Sequence, residues 1–143
     1  WGVTFAPDSD TFYATLQTNG QIYLIKGKVS ERSAKVVDEG IECPSLSPDG
    51  TRIAYKKRIG DALSVEWRLH VRDLRTGEDV ELSENRNVDD QVEWFDDENV
   101  LFGLPKSQSG TAETNTWTVP ADGTGQPELL VPRAWSPSVQ QGT

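Results

Sequence analysis

The sequence predicts an all-β fold built from four-stranded antiparallel repeats, the blades of a β-propeller. Three observations predict it: a turn motif that recurs in register, alternating strand patterns on both sides of that turn, and few helix signals. "PSLSPDGTRIAYK" from residue 44 superposes on "VTFAPDSDTFYAT" from residue 3, so that Phe5 falls on Leu46, Pro7 on Pro48, Asp8 on Asp49 and Phe12 on Ile53. "VEWFDDENVLFG" from residue 92 is a third copy once one turn residue is deleted, and "RAWSPS" from residue 133 starts a fourth and breaks off. The anchors Phe5, Leu46, Trp94 and Trp135 are 41, 48 and 41 residues apart. Four-stranded units of about 40 to 50 residues have the spacing of propeller blades. An immunoglobulin-like sandwich has comparable strand spacing but no reason to repeat one turn in register.

Each element of the unit has a local reason. The first strand ends on the anchor. In the turn that follows, "SPDG", proline presets φ, and Asp and Gly tolerate the conformations that complete it. Apolar alternation resumes in "TRIAY", as a half-buried second strand requires. "NGQIYLIKGK", "VEWRLHVRDLRTGE" and "TNTWTVPADGTG" supply the third strands and their closing turns, with Tyr23, Leu69 and Trp117 in corresponding places. The fourth strands are "AKVV", "VEL" and "PELLV". Residues 1–143 thus read as one partial propeller domain with units 1–41, 42–89 and 90–131. Residues 132–143 are the start of a fourth unit or a tail.

A chain of 143 residues can bury roughly 68% of its unfolded surface. Its net charge of −9 excludes nucleic acid, which needs a basic stripe, and disfavours anionic lipid. Cys43 is the single cysteine, so neither an intramolecular disulfide nor a cysteine zinc cluster can form. No apolar run approaches the ~18 residues of a membrane span, and no signal segment opens the chain. Methionine is absent, so Trp1 is not a translation start and a processed or excised piece is expected.

The "LSPDGTRIAY" motif, followed by a strand and a "DLRTGE" or "PADGTG" turn, resembles the repeat of TolB-type β-propellers, the C-terminal domains of the Tol–Pal translocation protein and its bacterial relatives. The resemblance runs from Trp1 to Ser136. Unit two matches best. Unit one has Ser9 and Asp10 at the glycine turn, and unit three has Asp96 in place of proline. The resemblance implies a six-bladed ring in an exported, periplasmic or envelope-associated bacterial protein. About three blades are present here, so either the chain is part of a longer propeller or two copies close a six-bladed ring as a homodimer.

No catalytic, cofactor or metal residues are assigned. His70 is the only histidine, lies in a third-strand pattern and has no G-x-S-x-G elbow to serve, so it reads as a strand residue on a blade face. Asp89 and Asp90 read as a solvated loop at one propeller mouth, and Asp96 and Asp97 as turn residues. The basic cluster Lys56, Lys57 and Arg58 opens the longest insertion, "RIGDALSVEW", where a partner contact is expected first. Trp94, Trp117 and Trp135 sit at repeat positions and are expected in the core, whereas Trp67 and Trp1 are less constrained. Cys43 is expected to be a buried, inert thiol. The expected function is a non-enzymatic scaffold binding a protein or other ligand, with no cofactor and no membrane insertion. The alternative is the gating propeller of a prolyl-oligopeptidase-like serine peptidase.

Overall fold

The computed structural model describes residues 2–61, 63–105 and 113–140. Twelve strands follow one another: β1 (Val3–Phe5), β2 (Thr11–Thr18), β3 (Gln21–Lys28), β4 (Ser33–Glu39), β5 (Ile41–Leu46), β6 (Arg52–Ile59), β7 (Glu66–Asp73), β8 (Asp79–Glu81), β9 (Val92–Trp94), β10 (Asn99–Pro105), β11 (Thr114–Pro120) and β12 (Glu128–Val131). They form three antiparallel meanders of four: β1 to β4 are blade 1, β5 to β8 blade 2, and β9 to β12 blade 3. No helix occurs among the described residues.

The turns between first and second strands work as their chemistry requires. Asp8 Oδ1 accepts the backbone N–H of Asp10 and Thr11, at 2.9 and 2.8 Å. Asp49 Oδ1 accepts that of Thr51, and Asp96 Oδ1 those of Glu98 and Asn99. Gly50 takes φ 70°, and Ser9, its counterpart in blade 1, is forced to φ 55°. Asp96 therefore does in unit three what Asp8 and Asp49 do in the other units, four residues before the partner of the anchor, and the one-residue deletion falls at the proline position rather than a proline being replaced.

The blades stack face to face. The first face of a blade, the one carrying its anchor, packs on the second face of the blade before it. Ile53, Tyr55 and Leu46 of blade 2 meet Tyr13 and Leu24 of blade 1. Val92, Trp94, Val100 and Phe102 of blade 3 meet Ala54, Leu69 and Val71 of blade 2. Trp94 Nε1 donates to the Ser45 carbonyl at 2.8 Å, and Arg52 lies over its ring.

Two expectations change. Counting from the anchors, Phe5 pairs with Phe12 and then Gly27, Leu46 with Ile53 and then Arg72, and Trp94 with Val100 and then Val119. The residue equivalent to Trp117 is therefore His70 in blade 2 and Ile25 in blade 1, not Leu69 and Tyr23. The ladders agree. Register shifts fall at Leu24/Ile25 in blade 1 and Thr116/Trp117 in blade 3, and β8 ends at the pair His70–Glu81. The spacing misaligned these strands because the turns before them differ in length.

Trp135 is not a core residue: it is 67% exposed. Residues 132–140 form no strand but run over the end of blade 3, where Trp135 lies against Gly103. Pro137 and Ser138 then reach the channel level of Gly2, Cys43 and Gln91.

Candidate functional site

The loops that differ among the units gather at one end of the blades. They are the β6–β7 loop, the long connection between β8 and β9, and the segment after β12. The β6–β7 loop turns on Gly60 at φ 83°, where a Cβ would lie 2.1 Å from the Ser64 carbonyl. Asp61 Oδ1 accepts the N–H of Leu63 and Ser64, leaving Leu63 at the tip 97% exposed. The β8–β9 connection is clasped to β7: Asn87 Oδ1 accepts the Trp67 N–H at 2.7 Å, and Val88 donates to the Trp67 carbonyl at 3.2 Å. Asp90 accepts both the N–H and the hydroxyl of Ser136, at 3.1 and 3.0 Å, which ties the segment after β12 to the same place.

These loops enclose a groove of about 630 Å³ lined by Glu66, Asn87, Asp89, Asp90, Thr114 and Trp135 among others. A second hollow of about 430 Å³ shares Asp89 and Asp90 and is floored by Lys56 and Trp67. Lys56 is buried, with its ammonium 3.2 Å from Asp89, 3.5 Å from Glu42 and over the Trp67 ring. Farther in, the first strands line a small polar channel beside Glu93. Burial pushes the Glu93 carboxyl up, partly opposed by the hydrogen bond from the Ser45 hydroxyl. The mouth is thus acidic at its rim, with one buried cation beneath.

A second polar cluster lies between the outer strands of blades 1 and 2. Asp79 in β8 receives His70 Nδ1 at 2.7 Å, Arg72 Nη2 at 3.0 Å and the Tyr55 hydroxyl. Arg72 also reaches across to Asp38 of blade 1 at 2.5 Å, so it clasps the two blades. Burial alone would raise the Asp79 carboxyl, but these three donors outweigh it and hold it down to about 2. Burial likewise drives the Tyr55 hydroxyl well above its usual range. The His70 Nε2 is buried and its nearest charged group is Glu81, 3.8 Å away.

His70 sits on β7, with Nδ1 bonded to Asp79 and Nε2 facing Glu81. Lys56, Lys57 and Arg58 are not in the insertion but on β6, and Lys56 faces inward to Glu42. This happens because β6 continues its alternation to Ile59. Asp96 and Asp97 serve turns, Asp97 Oδ1 accepting the Asp49 N–H at 3.0 Å. Among the described residues no group of three His, Cys, Asp or Glu has metal-holding geometry. Trp67 is buried, not exposed, under Lys56; Trp117 is half-buried beneath Arg86; Trp1 lies outside the described residues. Cys43 is buried at φ 53°. Sequence reasoning missed the Asp79 cluster. Its one signal is the cross-strand pair Tyr55–His70, visible only when the hairpin register is known.

No protein-family model matches the sequence, and no curated protein resembles it closely enough to count as a relative. Solved structures do match. TolB from Acinetobacter baumannii superposes with a TM-score of 0.67 at 15% identity, over 96% of this chain and 45% of that one. The β-propeller domain of the Trilobed protease from Pyrococcus furiosus gives 0.61 at 18% identity, over 92% and 41%. An acylaminoacyl peptidase gives 0.57 at 16% identity, over 86% and 23%. The chain has a TolB-like propeller fold of about three blades, and it spans less than half the length of these structures.

Proposed function

We propose that the chain is a non-enzymatic propeller segment that holds a protein partner at its loop-bearing mouth, in an exported or envelope-associated bacterial protein. One observation carries this reading: the variable loops are clasped to rigid strands at Trp67–Asn87 and Asp90–Ser136, which fixes a groove of about 630 Å³ in place. Pre-organised loops on a stiff sheet lose little entropy on binding. The groove offers the carboxylates of Glu66, Asp89 and Asp90 and the edge of Trp135, a surface suited to recognition, and no nucleophile–base pair lines it among the described residues.

A photo-crosslinking residue at Leu63 or Asp89, set against one at Thr51 in the opposite turns, tests the reading in cells of the source organism. A partner captured repeatedly from the mouth positions and not from Thr51 supports it. Equal capture from both ends, or peptide hydrolysis by the purified chain, overturns it. A second reading is favoured by the peptidase neighbours: a propeller that gates a serine hydrolase. It predicts that the captured partner is a hydrolase domain.

A further inference from the structure

The hollow over Lys56 owes its shape to an interruption in β5. The β5–β6 ladder runs through the pair Glu42–Lys56 and shifts register before Ser45. Cys43 lies in the gap, takes φ 53° and donates its N–H to the Thr15 hydroxyl of blade 1 at 3.0 Å. A bulge of this kind turns a strand aside and re-aims its side chains, and here it breaks the pairing beside Lys56. The clasp of Asn87 and Val88 on Trp67 sets Asp89 at the rim, and Ser136 fixes Asp90 next to it. The result is the hollow of about 430 Å³ between Glu42, Lys56, Trp67 and residues 89–91.

Lys56 at its floor is buried yet incompletely bonded. Its side chain is 4% exposed, and an ammonium carries three N–H donors. Among the described residues its one hydrogen bond goes to Asp89 Oδ1 at 3.2 Å, while Glu42 stands 3.5 Å away as an ion-pair partner and Trp67 offers a ring face. Buried charged donors without acceptors are costly, so the site favours a ligand that brings one. The surrounding charges decide which kind. A cation brought to Asp89 meets the Lys56 ammonium, and an anion brought to Lys56 meets Glu42, Asp89 and Asp90. A neutral hydroxyl accepts and donates at once. Two adjacent hydroxyls therefore accept from Lys56 and donate to Asp89 or Asp90 with no charge to neutralise.

We propose that the hollow over Lys56 binds a neutral saccharide of one or two rings, whose adjacent hydroxyls bridge the buried ammonium and the carboxylates of Asp89 and Asp90. A volume of about 430 Å³ suits a ligand of that size. The site adjoins the groove proposed for a protein partner but does not depend on that partner, which crosslinking at Leu63 reads separately.

Two-dimensional amide spectra of the isotopically labelled chain follow titration with glucose, galactose and mannose, each to about 50 mM. At least one is expected to give saturable shifts at Glu42, Cys43, residues 89–91 and the Trp67 indole, with a dissociation constant of about 1–10 mM. Glucosamine and galacturonate keep the rings of glucose and galactose but carry a charge. They are expected to bind at least about fivefold more weakly than their neutral counterparts. Lys56→Met combined with Glu42→Gln removes the donor without leaving a buried carboxylate unpaired, and should weaken binding at least about tenfold. If that variant misfolds, Asp89→Ala at the exposed rim is read instead, with an expected loss of about fivefold. No saturable shift with any of the three neutral sugars, equal binding of a charged sugar, or an unaffected variant overturns the proposal.

Discussion

His70 Nδ1 lies 2.7 Å from Asp79 Oδ1, and that one carboxylate also takes the Tyr55 hydroxyl and the Arg72 guanidinium on its other oxygen. Three donors converge on one carboxyl, and one of them, Arg72, is anchored in blade 1 through Asp38. The cluster makes blade stacking sensitive to acid.

The sign follows from the direction of the shift. The folded Asp79 carboxyl titrates at about 2, below its ordinary 3.8, so its contribution is complete above about pH 4 and is lost as pH falls toward 2. With allowance for its partly exposed side chain, that contribution is about 1–2 kcal/mol. Asp79→Asn should lower the thermal midpoint at pH 7 and flatten its fall between pH 5 and about pH 2. Parallel pH profiles for the two proteins would show that the carboxyl is not linked to folding.

Trp94 joins blade 3 to blade 2 through its Nε1–H to the Ser45 carbonyl, inside the larger core. Trp94→Phe removes the donor and part of the ring, and should lower stability by about 1–3 kcal/mol. Urea unfolding measures this. A loss no larger than that of an exposed tryptophan, such as Trp135→Phe, would show that the interface does not depend on it.

Lys56 is buried beside Glu42, whose own side chain is only 14% exposed. Lys56→Met leaves that carboxylate unpaired and should destabilise by about 2–4 kcal/mol. Adding Glu42→Gln should recover at least half of the loss. A double variant as unstable as the single one would place the cost in packing against Trp67 instead.

At Gly103, a Cβ would lie 2.0 Å from Asp90 Oδ2 and 2.9 Å from Trp135. Gly103→Ala should break the Asp90–Ser136 hydrogen bonds, at about 1–2 kcal/mol, and release the segment after β12. Limited proteolysis within residues 132–140 should accelerate while the β10–β11 core stays protected. Unchanged cleavage would mean that the segment is held by other contacts.

The strand count and turns were legible because Pro48, Asp49 and Gly50 act through local backbone chemistry that needs no partner. Trp94 was legible as core because a covering blade follows from the same repeat. Trp135 and Phe5 occupy anchor positions too, yet burial is a property of the neighbour as well as the residue, and neither has a blade against it. The frame of the third strands was lost for a different reason. Turn length carries no hydrophobic signal, so Leu69 and His70 exchange roles with a one-residue slip that flips both faces. Asp79, Arg72 and Asp38 were illegible because charged residues on outer strands look like solvent-facing ones. Only the approach of β4 to β7, 34 residues apart in sequence, makes them a cluster.

The recurring register shift between third and fourth strands has a colloidal consequence. β4 is a free sheet edge and holds Val36 and Val37 side by side, both exposed, the kind of segment on which fibrils can grow. The shift at Leu24/Ile25 interrupts its ladder at Val37, and on the near side Lys35 stands directly opposite Lys26. An incoming strand would meet a broken hydrogen-bonding row and a pair of like charges before it could zip. The irregularity within the β3–β4 ladder thereby makes the exposed edge of an acidic stack a poor template for its own precipitation.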